Sequence, residues 1–333
     1  MPKKEISFKE ALTSLRDGAK PDPKWLRAFN DLDAAALTEF QSAWKALGPD
    51  PRAKMAQALH ALMDEDIEMH FGAIFRILLS DADARVRVTA ISGLMDDEGQ
   101  DLVEPIINLM RNDPQEKVRA AAAGALGRFA ILAETERLTP ARKKMIYDAV
   151  LKVFRTEEES SPVYRNALES LAYTSNDVVA MYIRAAYASD DEALRISAVV
   201  AMGRSQDRQF SEFVREELQN VSPKMRLEAA RAIGELEDAD SVKELSMVLD
   251  DTEMAVREAA LESLAVIGGD VARSLIQAAV LSDVEEFSKL AEHAIETYDF
   301  WHGEIDFSLT DIDEEVLKPR RVWQRKITAK EEE

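Results

Sequence analysis

Cysteine is absent from the 333-residue chain, which excludes disulfides, thiol nucleophiles and cysteine-ligated metal centres together. Cations are scarce beside anions: 42 Lys and Arg stand against 63 Asp and Glu, a formal net charge of −21 at pH 7. A surface of that sign repels phosphate backbones and anionic headgroups, because nucleic-acid affinity comes largely from cations that displace counterions. Long apolar runs are missing as well. Nothing approaches the ~18 apolar residues of a membrane helix, and MPKKEISFKEALTSL at the start has no apolar stretch of signal-peptide length. A cytoplasmic protein that binds neither membrane nor nucleic acid is the expectation.

Catalytic signatures are equally thin. The four histidines, His60, His70, His293 and His302, fall into no HExxH or other metal-ligand spacing. No GxGxxG or GxxxxGK[ST] run is present to cradle a phosphate. Carboxylates abound, but nothing in the sequence singles out an acid–base pair. The expectation is no catalytic residue, no metal and no cofactor, hence no enzyme.

What the chain does hold is a repeat. VRVTAISGLM begins at 86, VRAAAAGALG at 118, VYRNALESLA at 163, LRISAVVAMG at 194, MRLEAARAIG at 225, VREAALESLA at 256 and FSKLAEHAIE at 287. The last five starts are 31 residues apart and the first two 32; a weaker match, PRAKMAQALH, begins at 51. The step from 118 to 163 is longer and carries an insertion near 133–147. Columns one, five, eight and nine of the window are apolar or small, the i, i+4, i+7, i+8 signature of one helix face. Alanine fills column five from Ala90 to Ala291, which lets a neighbouring helix approach closely. Between windows lies a second helical pattern such as SVKELSMVLDD (241–251), followed by an Asp- or Ser-containing turn that can cap the next helix. Each unit of about 31 residues therefore reads as a helix pair that buries its apolar face only against its neighbours.

The string D-x-x-x-hydrophobic-Arg-x-x-Ala-x-x-Ala-Leu-Gly, clearest in DPQEKVRAAAAGALG (113–127) and DDEALRISAVVAMG (190–203), resembles the short HEAT-like repeat, including the type first associated with phycobilin lyases. The resemblance implies an all-α solenoid of stacked antiparallel helix pairs, with the second helices lining a concave surface. It leaves function open, since one repeat fold serves many roles.

Three segments follow from the register. Residues 1–48 read as an N-terminal helical cap, closed by Trp25, Phe29, Phe40 and Trp44; residues 49–297 are the solenoid. Residues 298–333 are a non-repeat tail. In it Ile305, Phe307 and Leu309 alternate as in an extended strand, and KPRRVWQRK (318–326) carries five cations and no acid. That segment, with Trp323, either packs back on the acidic solenoid or docks on a partner.

Column two holds Arg52, Arg87, Arg119, Arg195, Arg226 and Arg257, interrupted by Tyr164 and ended by Ser288. A catalytic residue is not expected six times at a fixed period, so Arg87, Arg119, Arg195, Arg226 and Arg257 are read as a structural ladder. Their stems lie on the core and their guanidiniums reach turn carboxylates such as Asp83, Asp113, Asp191 or Asp251. Columns three and seven point away from the core columns. They make Val88, Ile196, Val200, Leu227 and Arg231 candidates for partner contact, with burial between repeats as the competing reading. The leading function is a scaffold or adaptor that binds a protein or peptide, favouring basic ones, on the concave face. An accessory component of a tetrapyrrole-lyase-like or other protein-modification complex is the alternative. A nucleic-acid-binding protein resembling the HEAT-like alkylpurine DNA glycosylases is a third reading, against which the acidic charge weighs.

Overall fold

The computed structural model describes residues 6–156, 161–174 and 176–303. Two short helices come first, α1 (Phe8–Arg16) and α2 (Pro23–Leu26). Helix pairs follow: α3 (Ala34–Ala46) with α4 (Pro49–Glu65), α5 (Gly72–Leu78) with α6 (Ala84–Ser92), α7 (Val103–Asn112) with α8 (Glu116–Glu134), and α9 (Pro140–Phe154) with α10 (Ser161–Leu171). Four more are α11 (Asp177–Tyr187) with α12 (Glu192–Arg204), α13 (Ser211–Glu217) with α14 (Pro223–Glu235), α15 (Val242–Val248) with α16 (Met254–Ile267), and α17 (Gly269–Val280) with α18 (Glu285–His302). Among the described residues there is no strand. The molecule is an all-α solenoid.

Every decapeptide window lies in the second helix of a pair, so α4, α6, α8, α10, α12, α14, α16 and α18 are the window helices. They stack consecutively and extensively, whereas the first helices touch one another much less. Two layers with unequal spacing must curve toward the tighter one, which places the window helices on the inner side. Column five explains the tightness: Ala90, Ala122, Ala167, Ala198, Ala229, Ala260 and Ala291 are all wholly buried. Small residues at columns eight and ten complete the fit. Ser263 Oγ donates to the Ala230 carbonyl of the preceding window helix at 2.7 Å. A Cβ added to Gly234 would lie only 2.5 Å from that hydroxyl.

The column-two arginines form the edge of this stack. Arg87, Arg119, Arg195 and Arg226 each donate from Nη1 to the carbonyl six residues back, on Asp81, Asp113, Ser189 and Asn220, at 2.7 to 3.1 Å. Arg257 makes the same bond to Asp251 through Nε. Arg52, Arg87 and Arg226 also reach forward to the turn of the next repeat. Arg52 meets Asp81 at 2.9 Å, Arg87 grips Asp113 with two bonds of 2.7 and 2.8 Å, and Arg226 grips Asp251 with two of 2.6 and 2.8 Å. Each of these aspartates also accepts the backbone N–H two residues on, so a single carboxylate shapes its turn and ties two repeats. Arg226 holds the Asp251 carboxyl below its usual range, the hydrogen bond to the guanidinium being the main cause.

Two of the expected partners differ. Asp83 caps α6 and pairs with Arg85, and Asp191 caps α12 and accepts from Ser161. Both are N-cap residues whose carboxylates are already directed at their own helix; the ladder uses the aspartate that opens the turn. At the interruption, Tyr164 joins an aromatic cluster, its ring 5.0 Å from Phe154, which is 4.6 Å from Tyr182. Ser288, at the end of the series, still donates to a turn carbonyl, that of Val280, at 2.7 Å.

At the N-terminus Trp25, Phe29, Phe40 and Trp44 are buried in contact with one another. The indole N–H of Trp44 donates to Asp81 at 2.7 Å, joining the cap to the first rung. The insertion near 133–147 lengthens α8 and α9 and forms no long loop. Helix α18 continues to His302, beyond the expected solenoid boundary at 297.

Candidate functional site

Helical geometry sets which side chains the inner layer shows. Residues four apart share a face, so column seven is continued by column eleven, one turn beyond the decapeptide. Column three packs against the adjoining window helix. Ile196 is 7% exposed and belongs to the core, while Val88 and Leu227 are half-buried. Ile196 therefore leaves the set of residues a partner can touch. Val200 is also half-buried; Arg231 is exposed and pairs with Glu228 at 3.5 Å on its own helix. The segment 318–326, Trp323 within it, and Ile305, Phe307 and Leu309 lie outside the described residues.

Column eleven, which the ten-residue window cut off, supplies the more distinctive groups: Arg128, Tyr173, Arg204, Glu235 and Val266. Extending the helical face by a single step of four would have found them. Arg204 donates to the Glu169 carboxylate at 3.2 Å, and its guanidinium lies 5.6 Å from the Tyr173 ring centre. Arg128 bonds the Leu94 carbonyl, yet its Nε and Nη2 are buried without a hydrogen-bond partner. Burial pulls its pKa down to about 10, against the attraction of Asp97 and Asp96.

Toward the C-terminal end the face turns acidic. Between α14 and α16 lies a cavity of about 280 Å³ lined by Arg231, Gly234, Glu235, Glu262, Ser263 and Val266. The glycine and serine of the tight helix contact form its floor, Val266 is an apolar wall open to solvent, and the two glutamates form the rim. Glu235 lies over Gly203, and burial there raises its carboxyl above the ordinary range. Glu228 and Glu169 push in the same direction, while Arg204 and Arg231 oppose them. Neither Glu235 nor Glu262 has a cation within ion-pair distance among the described residues. The arrangement can accept hydrogen bonds from a cationic group while its stem or a neighbouring apolar group rests on Val266.

A larger cavity, about 760 Å³, opens between α5 and α7 on the outer layer. Its polar lining includes Arg87 and Asp113, which already satisfy one another. Among the described residues no group of three or more His, Asp or Glu is arranged to hold a metal ion, and no helix is long and apolar enough to cross a membrane.

The class of protein is thus a helical-repeat solenoid whose inner face carries acidic groups without an ion-pair partner among the described residues. The family described as HEAT repeats matches residues 73–149 and 211–296. The chain is a HEAT-like repeat protein. No curated protein matches it. Among solved structures it is similar to the CpcE–CpcF complex of phycocyanin lyase from Nostoc, at 17% identity over 67% of this chain and 86% of that one, with a TM-score of 0.46. Yeast importin-β is similar at 13% identity over 88% of this chain and 47% of that one, with a TM-score of 0.48. YibA of E. coli is similar at 13% identity over 90% of this chain and 99% of that one, with a TM-score of 0.42. These likenesses are of fold alone.

Proposed function

We propose that the chain is a non-catalytic interaction scaffold that receives a basic peptide or protein segment on the inner face of α12, α14 and α16. The observation that carries this reading is the cavity between α14 and α16, where Glu235 and Glu262 have no cation among the described residues and Val266 is open beside them. An incoming Lys or Arg meets two carboxylates beside an apolar wall, and a bond to an ionised carboxylate is stronger than one between neutral groups. Arg231 at the rim is offset by Glu228, so the local field keeps the sign of the whole chain. That field speeds encounter with basic partners and rejects acidic ones.

Fluorescence anisotropy with labelled nonapeptides tests the reading. An Arg- and Lys-rich peptide with one aromatic is expected to bind, weakening as salt rises, and a Glu-rich peptide of equal length is not. Glu262→Lys combined with Glu235→Gln should abolish binding while leaving the helical circular-dichroism signal intact. Equal binding of both peptides, or of the basic one to this double variant, would sink the reading.

A further inference from the structure

The chain carries a segment that fits this same surface. Residues 318–326, KPRRVWQRK, have five cations, no acid and one tryptophan, whereas the whole chain has a net charge of −21. The place where the chain leaves the solenoid matters. His302, the last residue of α18, lies with its ring Nε2 3.0 Å from the carbonyls of Ala265 and Val266, at the end of α16. Val266 is also a wall of the cavity between α14 and α16. The chain therefore leaves the solenoid beside the end of α16, the helix whose Val266 lines the cavity.

Reach is no obstacle. The fifteen-residue step from Gly303 to Lys318 spans at most ~50 Å, and α18 to α14 is two helix spacings, roughly 20 Å. Chemistry selects among the parts of the tail. Glu304 and Asp306 flank Ile305 and would be repelled by Glu235 and Glu262, whereas the 318–326 segment brings cations to both and an indole for Val266.

We infer that residues 318–326 dock in the groove between α14 and α16, with Trp323 against Val266, and occupy the inner face until a basic partner displaces them. The inference rests on the scaffold reading for its purpose but not for its geometry. A tethered segment competes at an effective concentration in the millimolar range, so even weak intrinsic affinity makes it an internal competitor.

The absence of cysteine makes disulfide trapping in the full-length chain clean. Arg231→Cys, at the rim of the cavity, paired with Gln324→Cys should form an intramolecular disulfide quickly at low salt and slowly at high salt. Met247→Cys, on an exposed outer position of α15, paired with Gln324→Cys should form it much more slowly at either salt. Equal rates for the two pairs overturn the proposal, as do disulfide-linked dimers in place of the intramolecular bond, which would put a second copy in the groove.

A second measurement separates this inference from the scaffold reading. A synthetic peptide copied from 318–326 should bind roughly tenfold more tightly once Lys318, Arg320, Arg321, Arg325 and Lys326 are all changed to Ser in the full chain. Selective trapping without any binding of the added peptide upholds the docked tail and defeats the scaffold. Unchanged peptide affinity together with unselective trapping does the reverse.

Discussion

Arg87 and Arg128 stand on consecutive window helices and are both largely buried, yet they solve the problem of a buried cation differently. Arg87 has four hydrogen bonds, two to Asp113 and two to the carbonyls of Asp81 and Ala82, and the side chains of the Arg87–Asp113 pair are only 9% and 4% exposed. Arg128 has one carbonyl and two buried nitrogens with no partner. Arg87, at the edge of the solenoid, has its charge satisfied; Arg128, on the inner face, has it satisfied only in part. A buried donor without a partner costs stability. On the inner face Arg128 keeps one bond across repeats, to the Leu94 carbonyl, and its guanidinium lies 4.5 Å from the Phe129 ring centre, which offsets part of that cost.

Breaking the better-satisfied side should have the largest effect. Arg87→Ala leaves Asp113 buried and unpaired and should cost about 3–5 kcal/mol, read as lost hydrogen-exchange protection across α6 to α8. Arg85→Ala, which removes the pairs of an exposed guanidinium with Asp50 and Asp83, should cost no more than about 1 kcal/mol. If both cost the same, the ladder is not the tie between repeats. Arg128→Met should have the opposite sign, neutral or stabilising by about 1 kcal/mol, because it removes a desolvated and poorly paired charge while keeping volume; a loss comparable to Arg87→Ala would show a partner for Arg128 in the folded protein.

Acid sharpens the comparison further. Asp251 has a depressed carboxyl, so its stabilisation is present above the ordinary aspartate range and is lost as pH falls through the lowered folded value. Glu235 has a raised one, so it weakens the fold at neutral pH and stops doing so as pH falls through the raised value. Glu235→Gln should therefore raise the urea midpoint at pH 7 and leave it unchanged near pH 4, whereas Asp251→Asn should lower it at pH 7. The smallest effect is expected at the turn after α14, where Glu237 has φ +48°. Glycine adopts this left-handed conformation without strain, so Glu237→Gly should gain up to about 1 kcal/mol by the same measurement.

Much of the fold was legible because it is written in a period. Alanine in column five could mean little else than close helix contact, and an arginine repeated six times had to belong to the architecture. Which aspartate each arginine grips was not legible. Asp81 and Asp83 are two residues apart, and only the direction of the turn decides which one faces the adjoining repeat. At the candidate surface burial was not legible within a column: Ile196, equally apolar and in the same column as Leu227, is enclosed by its neighbours, whereas Leu227 and Val200 are half-buried and Arg231 is exposed.

By itself, then, the sequence determined that the chain is a stack of helix pairs, where each pair begins, and that its surface is anionic, because periodicity and composition are properties of the chain alone. The tertiary structure decided which carboxylates are spent on the ladder and which, at Glu235 and Glu262, meet no cation among the described residues. Pairing depends on distances between repeats, and those distances follow from how closely the small residues let the window helices approach.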